Sequence, residues 1–388
     1  MFVVLLGMPA QVLSFGEDLE QEFFKGARSM EDEYAKFERE AFAQFKRDVE
    51  AMWGDFVIST KKDWVEYSED RTGRSRVDFE TGVVVVEVIV PKAETLSEPG
   101  VAEEKLAEEI ERLVVDHGKN RDYEVPLPPE PVVIGEPEEK KVNAPEPLLP
   151  SPVLEGQLEN TAGEPVTEDN KKEFAQEVIH TQPVHTETLS TEKGDVVKAT
   201  VQFTLVPEHL RVRAEQYLGS VKDNTDRHDL AVPLAFAVIH TESYFNPKAT
   251  SPAPAYGLMQ LVPTSGGRDA YRYVYGKDRV VTADYLYVPE NNIELGCAYL
   301  GFLKDIVFRN VQDPQNTIYC IVASYNTGPG NVSRAVCGSK HVASAVERIN
   351  TMTPDELYEH LRINLPYQET RDYLKKVRDR SSLYQEWQ

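Results

Sequence analysis

The sequence predicts an α+β domain followed by an all-α domain, and three observations carry that expectation. Residues 64–90 hold short runs rich in Trp, Val, Tyr and Phe, flanked on both sides by apolar residues at helical spacing. A proline-rich tract then breaks the pattern, and from about residue 207 onward apolar residues recur at three- and four-residue steps. At 388 residues the chain is long enough for two cores, and 41% hydrophobic content is ordinary for globular protein.

Met1 to Phe15 is apolar and has the length of a signal-peptide core, without a basic front or a clear small-x-small cleavage site. A short buried strand or helix is the other reading. No cysteine follows it, so the chain as given does not support a lipid anchor there. Residues 16–52 carry Leu19, Phe23, Met30, Phe37, Phe45 and Val49 on one face of an amphipathic helix or helix pair. Trp64 to Tyr67, a polar turn from Glu69 to Arg76, then Val77 to Phe79 and Val83 to Val90 read as hairpin-joined strands. Residues 100–117 return to helical spacing, which completes an α+β domain over 16–122.

From 123 to 185 prolines and glutamates dominate, as in an extended linker or insert rather than a packed core. Alternation from Val196 to Val206 marks a strand within 186–206 that returns to the first domain's sheet. The all-α domain spans 207–388, with loops expected at 250–256, 263–271 and 328–331 and a long surface loop at 273–289. No segment after residue 15 has the roughly 18 uninterrupted apolar residues of a membrane span.

The formal net charge is −23, and the excess acid is one-sided: 22 Lys/Arg face 44 Asp/Glu in residues 1–200, against 20 and 21 in residues 201–388. This excludes nucleic acid as a partner, because phosphates demand a basic face. Cys297, Cys320 and Cys337 lack metal-ligand spacing, so no metal and no cofactor are expected. One disulfide plus a thiol, or three free thiols, both fit.

Candidate chemistry begins with Leu230 to Ser243, a strongly apolar helix stopped just beyond Glu242 by Asn246-Pro247. A glutamate in the last turn of a buried helix meets apolar surface and the negative end of the helix dipole, and both raise its pKa. A carboxyl kept protonated near neutral pH suits a glycosidase general acid; this segment alone fits an exposed helix-end glutamate equally well. His240 lies two residues away on another side of the helix, as a core or capping histidine.

Glu242-Ser243, Gly257-Leu-Met-Gln260, Ala323-Ser-Tyr-Asn326 and Leu365 to Tyr373 occur in the order and spacing of the soluble-lytic-transglycosylase domain, the goose-lysozyme-like group. The resemblance covers roughly residues 205–380, and four ordered motifs are far more specific than any one of them. His240 to Pro247, Pro254 to Gln260, Asn291 to Gly296, Trp64 to Tyr67 and Arg76 to Phe79 resemble the membrane-bound lytic murein transglycosylase C branch in particular.

The resemblance implies a lysozyme-like catalytic domain that cuts peptidoglycan between N-acetylmuramic acid and N-acetylglucosamine without water. Glu242 would be the one catalytic residue, acid and then base. Ser251 and Gln260 would hydrogen-bond the N-acetyl group or the sugar beside it, Tyr325 would orient that group or contact Glu242, Tyr367 and Tyr373 would line the cleft, and Glu369 would bind substrate or be structural. Ser243, Gly257, Met259 and Asn326 would be structural or secondary. Each also has a bland reading: Ser251 as a turn hydroxyl, Gln260 as a satisfied core amide, Tyr325 as a packing ring.

Glu369 raises the alternative of two-carboxylate hydrolysis, though Thr370 and Arg371 stand ready as its partners. A glycan-binding wall protein without activity is a third reading. Implied partners are peptidoglycan strands and the cell-wall machinery around them. The implied location is the periplasm after export; outer-membrane association stays open, because the chain as given departs from the branch in having no lipoprotein cysteine near its start.

Overall fold

The computed structural model describes residues 36, 37, 39–119, 122, 123, 125, 126, 142, 143 and 147–388. The apolar start at 1–15, the first part of the expected 16–52 helix and most of the proline-rich tract lie outside the described residues. The chain divides into two compact units.

One unit comprises Met1–Phe56, Arg121–Glu146 and Thr191–Lys193. Its described part holds a helix through residues 39–53, as the apolar spacing predicts. Phe42 and Phe45 each meet Phe56 and Tyr123, with ring centroids 5.7–5.8 Å apart. Val125–Pro126 and Val142–Asn143 form a short antiparallel pair.

The other unit comprises Val57–Asn120, Pro147–Ser190 and Gly194–Gln388. It opens on a five-stranded sheet of β1 (Asp63–Tyr67), β2 (Gly73–Asp78), β3 (Val83–Pro91), β4 (His185–Thr191) and β5 (Gly194–Thr204), ordered β1-β2-β3-β5-β4. β3 is central because its β-branched run suits a strand paired on both edges. It runs antiparallel to β2, with Arg76 opposite Val85, and to β5, with Val86 opposite Val201. The strand expected at 196–206 therefore does pair with the N-terminal sheet.

Val84, Val86, Val88 and Val90 alternate onto one buried face, where they pack with Leu106, Ile110 and Leu113. Those three lie on α2 (Val101–Val114), which follows the short α1 (Lys92–Ser97). The expected turn at 69–76 is shorter than its polarity suggests. β2 takes in Arg74 and Arg76 because each finds a cross-strand carboxylate: Arg74 pairs with Glu87 at 2.7 Å and Arg76 with Asp63 at 2.9 Å.

Part of the expected linker is packed. Leu148, Leu149, Val153, Leu154, Leu158 and Val166 join the sheet's core, as do Phe174, Ala175 and Val178 of α3 (Lys171–Thr181). Isolated apolar residues among prolines carry no periodicity, so burial by an irregular chain leaves no pattern to read. β4 escaped the sequence reading for a related reason: His185–Thr191 is an edge strand with polar, mostly exposed residues.

The helical part runs through α4 (His209–Gln216), α5 (Leu218–Arg227), α6 (Val232–Ser243), α7 (Gly266–Tyr275), α8 (Ala283–Tyr287) and α9 (Pro289–Phe302). A π-turn (Leu303–Val307) leads to α10 (Pro314–Thr327), α11 (Pro329–Cys337), α12 (Val342–Ile349), α13 (Pro354–Asn364) and α14 (Gln368–Ser381), and a 3-10 turn (Ser382–Trp387) closes the chain. Helix α7 occupies most of the expected 263–271 loop, and with α8 it reduces the 273–289 loop to a short connection. α6 is apolar on every side and is buried on every side, with Phe236 against Tyr384 and Trp387.

Sheet and helices meet within this unit. Arg213 of α4 is buried with its guanidinium 4.0 Å from the Phe79 ring, donating to Phe79 O at 2.9 Å and to Gln157 Oε1. The Lys248 ammonium pairs with the fully buried Glu66 of β1 at 3.0 Å.

Candidate active site

Helix α6 delivers Glu242 at its last turn and then stops abruptly. Tyr244 and Phe245 both take left-handed backbone, at φ 51° and 63°. Two successive non-glycine residues there are uncommon, and the following Asn246-Pro247 prevents return to helix. Asn246 fixes this exit by donating from Nδ2 to the carbonyls of Thr60 and Asp63, both at 3.1 Å.

Glu242 is buried, with 4% of its surface exposed. Burial pushes its carboxyl pKa above the ordinary range, and the Glu369 carboxylate pushes the same way. Opposing them is Lys61, whose ammonium lies 3.2 Å from Glu242 Oε2. The Tyr373 phenol also favours the charged carboxylate. That hydroxyl is buried and makes no hydrogen bond of ordinary length among the described residues. Burial and the neighbouring Glu242 charge hold the phenols of both Tyr373 and Tyr325 well above their usual pKa.

The loop after α6 is bound back onto it by Ser243, whose hydroxyl donates to Leu258 O at 2.7 Å. Gly257 sits at φ +74°, where an added Cβ would lie 2.2 Å from Leu286 O and 2.3 Å from the Asn292 amide nitrogen. Only glycine fits. Asn292 of α9 accepts from Met259 N at 2.7 Å and donates to Tyr256 O and Leu286 O, so one buried amide organises the turn.

Gln260 is buried and left-handed, at φ 48°. Its Nε2 donates to Ala249 O at 2.9 Å and Gly257 O at 3.0 Å, which orients the amide. Its Oε1 is buried without a hydrogen-bond partner among the described residues. A core amide would have both ends satisfied; this one presents an open acceptor.

Tyr325 of α10 donates to Met259 O at 2.8 Å, and its neighbour Asn326 accepts from Thr370 Oγ1 at 2.7 Å. Ser251 turns its hydroxyl into its own loop, onto Ala253 O. Tyr367 caps α14 and is 58% exposed. Glu369 is exposed in the first turn of α14, and Tyr373 lies buried one turn later. The partners expected for Glu369 go elsewhere: Thr370 bonds Asn326, and Arg371 bonds Gln368 and the carbonyls of Ile363 and Leu365.

Glu242, the Gly257 to Gln260 turn, Tyr325 and Tyr373 are thus brought together, while Ser251, Tyr367 and Glu369 line more open ground. His240 is a core residue, bonded to Tyr384 at 2.9 Å, and burial pushes its pKa down to about 3. Lys61 had no place in the sequence reading, and Asn246 and Asn292 entered it only as a helix stop and as members of matching strings, without the contacts they make here. Lys61 is 181 residues from its partner, and nothing local to it signals the contact.

Residues 220–346 match the model of the Transglycosylase SLT domain, and residues 30–101 that of the membrane-bound lytic murein transglycosylase C N-terminal domain. Membrane-bound lytic murein transglycosylase C of Sodalis glossinidius (strain morsitans) is 32% identical over 344 residues, 88% of each chain. That of Cronobacter sakazakii (strain ATCC BAA-894) is 31% identical over 88% of this chain and 87% of its own. Among solved structures, an inactive mutant of lytic transglycosylase Slt from Pseudomonas aeruginosa is 26% identical, covering 43% of this chain and 24% of its own, with a TM-score of 0.34. The chain belongs to the membrane-bound lytic murein transglycosylase C family, and it is a peptidoglycan lytic transglycosylase.

Proposed function

We propose that Glu242 alone performs the acid and base steps of a water-free cut between N-acetylmuramic acid and N-acetylglucosamine. One observation carries this reading: a buried carboxyl, raised in pKa by burial, lies at the end of α6, and the loop bonded to that helix end offers Gln260 Oε1, which has no partner among the described residues. Glu242 in its acid form gives its proton to the glycosidic oxygen as the bond to C1 breaks. The N-acetyl carbonyl oxygen of the same sugar attacks C1 in its place, a substrate-assisted route that needs no second carboxylate. The resulting Glu242 carboxylate then takes the C6 hydroxyl proton, and O6 displaces the acetamido oxygen to leave a 1,6-anhydromuramoyl end.

In this reading Gln260 Oε1 accepts the acetamido N–H, an interaction worth most where both groups are dry. Tyr325 and Tyr373 flank the carboxyl. The exposed ring of Tyr367 offers a face to a sugar, and Ser251 and Glu369 offer polar contacts at the rim. The substrate is the glycan strand of peptidoglycan, and the working location is the periplasm, in keeping with the envelope role that the relatives' names give them. Among the described residues no helix is long and apolar enough to cross a membrane.

Borohydride treatment of the digestion products tests the reading. Reducing ends are converted to alditols, whereas anhydro ends are inert. Products that resist reduction support the transglycosylase route; reducible products mean hydrolysis, with water in place of the C6 hydroxyl.

A further inference from the structure

We propose that Lys61 is a positioning residue for Glu242: its ammonium, supplied from the sheet side of the molecule, holds the carboxylate in place and sets the acid–base balance on which both steps depend. The inference rests on Glu242 being the acid and base of the reaction.

Lys61 is held where it is by its backbone. The loop 57–62 closes on β1 through Thr60, whose N–H donates to Asp63 O at 2.9 Å and whose hydroxyl donates to the Asp63 carboxylate at 2.7 Å. Asn246, four residues beyond Glu242, bonds the carbonyls on both sides of this turn. The adjacent Lys62 turns to Asp78 and Glu80, at 3.1 and 2.9 Å, so the two lysines do not compete. Lys61 has one carboxylate partner among the described residues, Glu242.

Four groups act on the Glu242 carboxyl from the elements packed against it. They are Lys61 from the loop before β1, Tyr325 from α10, and Glu369 and Tyr373 from α14. Lys61 is the one cation among them. Its side chain is 40% exposed while that of Glu242 is 5% exposed, so the lysine stays hydrated as it neutralises a carboxylate that burial disfavours. An acid–base group must release and regain a proton in each turnover, and an opposing cation keeps burial from locking the carboxyl in its acid form.

The test compares full-length wild type, Lys61→Met and Lys61→Arg by carbon-13 NMR titration of glutamate carboxyls, with the Glu242 signal assigned from its loss in Glu242→Gln. The midpoint moves to higher pH in Lys61→Met and stays near wild type in Lys61→Arg. Rates follow, because the limb reporting the protonated acid moves the same way. The ratio of kcat/KM at pH 8 to that at pH 5.5 rises about fivefold in Lys61→Met. An unchanged midpoint in folded Lys61→Met overturns the proposal even where the wild type cuts peptidoglycan. If the wild type cuts nothing, the proposed acid–base role of Glu242 fails, and the proposal for Lys61 fails with it.

Discussion

The Tyr325 hydroxyl donates to the backbone carbonyl of Met259 at 2.8 Å, tying α10 to the turn that carries Gln260. Tyr325→Phe leaves a carbonyl without its donor and frees that turn. The expected cost is about 1–2 kcal/mol of stability, read by urea denaturation, with a fall in kcat/KM larger than that loss alone would give. Wild-type activity in this variant would mean that the hydroxyl does not position the loop.

Gly257→Ala is predicted to be severe. The φ of +74° and contacts at 2.2 and 2.3 Å leave no room for a methyl group, and neither the Leu286 carbonyl nor the Asn292 amide is a flexible end. A loss of about 2–4 kcal/mol is expected, with activity lost as the Gln260 turn shifts. Thermal unfolding of the variant checks it.

A carboxyl whose folded pKa lies above its unfolded one stabilises the fold at low pH, and that contribution disappears as pH rises through the folded pKa. Burial places Glu242 in this class. Glu242→Gln is therefore expected to be more stable than wild type at pH 7.5, by about 1 kcal/mol or roughly 2 °C in melting temperature. At pH 4 the two proteins should melt together. Equal stability at both pH values would mean that Lys61 fully offsets the burial of the charge.

The Lys248–Glu66 pair joins the loop beyond α6 to β1, and both side chains are buried, at 8% and 0% exposure. Lys248→Met strips Glu66 of this cation and is expected to cost about 3 kcal/mol. Glu66→Gln in the same chain should recover most of it, because the neutral pair leaves no uncompensated charge. Chemical denaturation of the single and double variants measures the coupling.

Much of this molecule is legible from local pattern. The β-branched run at Val83 to Val90, the helix at 101–114 and the buried helix before Glu242 all announce themselves by period and composition. The site's parts stood out through the resemblance of ordered motifs, because Glu242-Ser243 and Gly257 to Gln260 taken alone fit an exposed helix end and a satisfied core amide as well. Illegible features were those whose cause lies elsewhere in the chain. Arg74 and Arg76 read as turn residues until Glu87 and Asp63 stand across from them. Leu148 to Val166 pack without periodicity, and β4 is an exposed edge. Lys61 and Asn246 matter through contacts more than 180 residues away, which no window along the sequence can show.

The most direct test of the central claim is mass spectrometry of purified peptidoglycan digested by the wild-type protein and by Glu242→Gln. Anhydromuropeptides from the wild type, and none from the variant, are the predicted result. Anhydro products from Glu242→Gln at the wild-type rate would contradict the assignment of Glu242, and reducing-end products from the wild type would contradict the reaction itself.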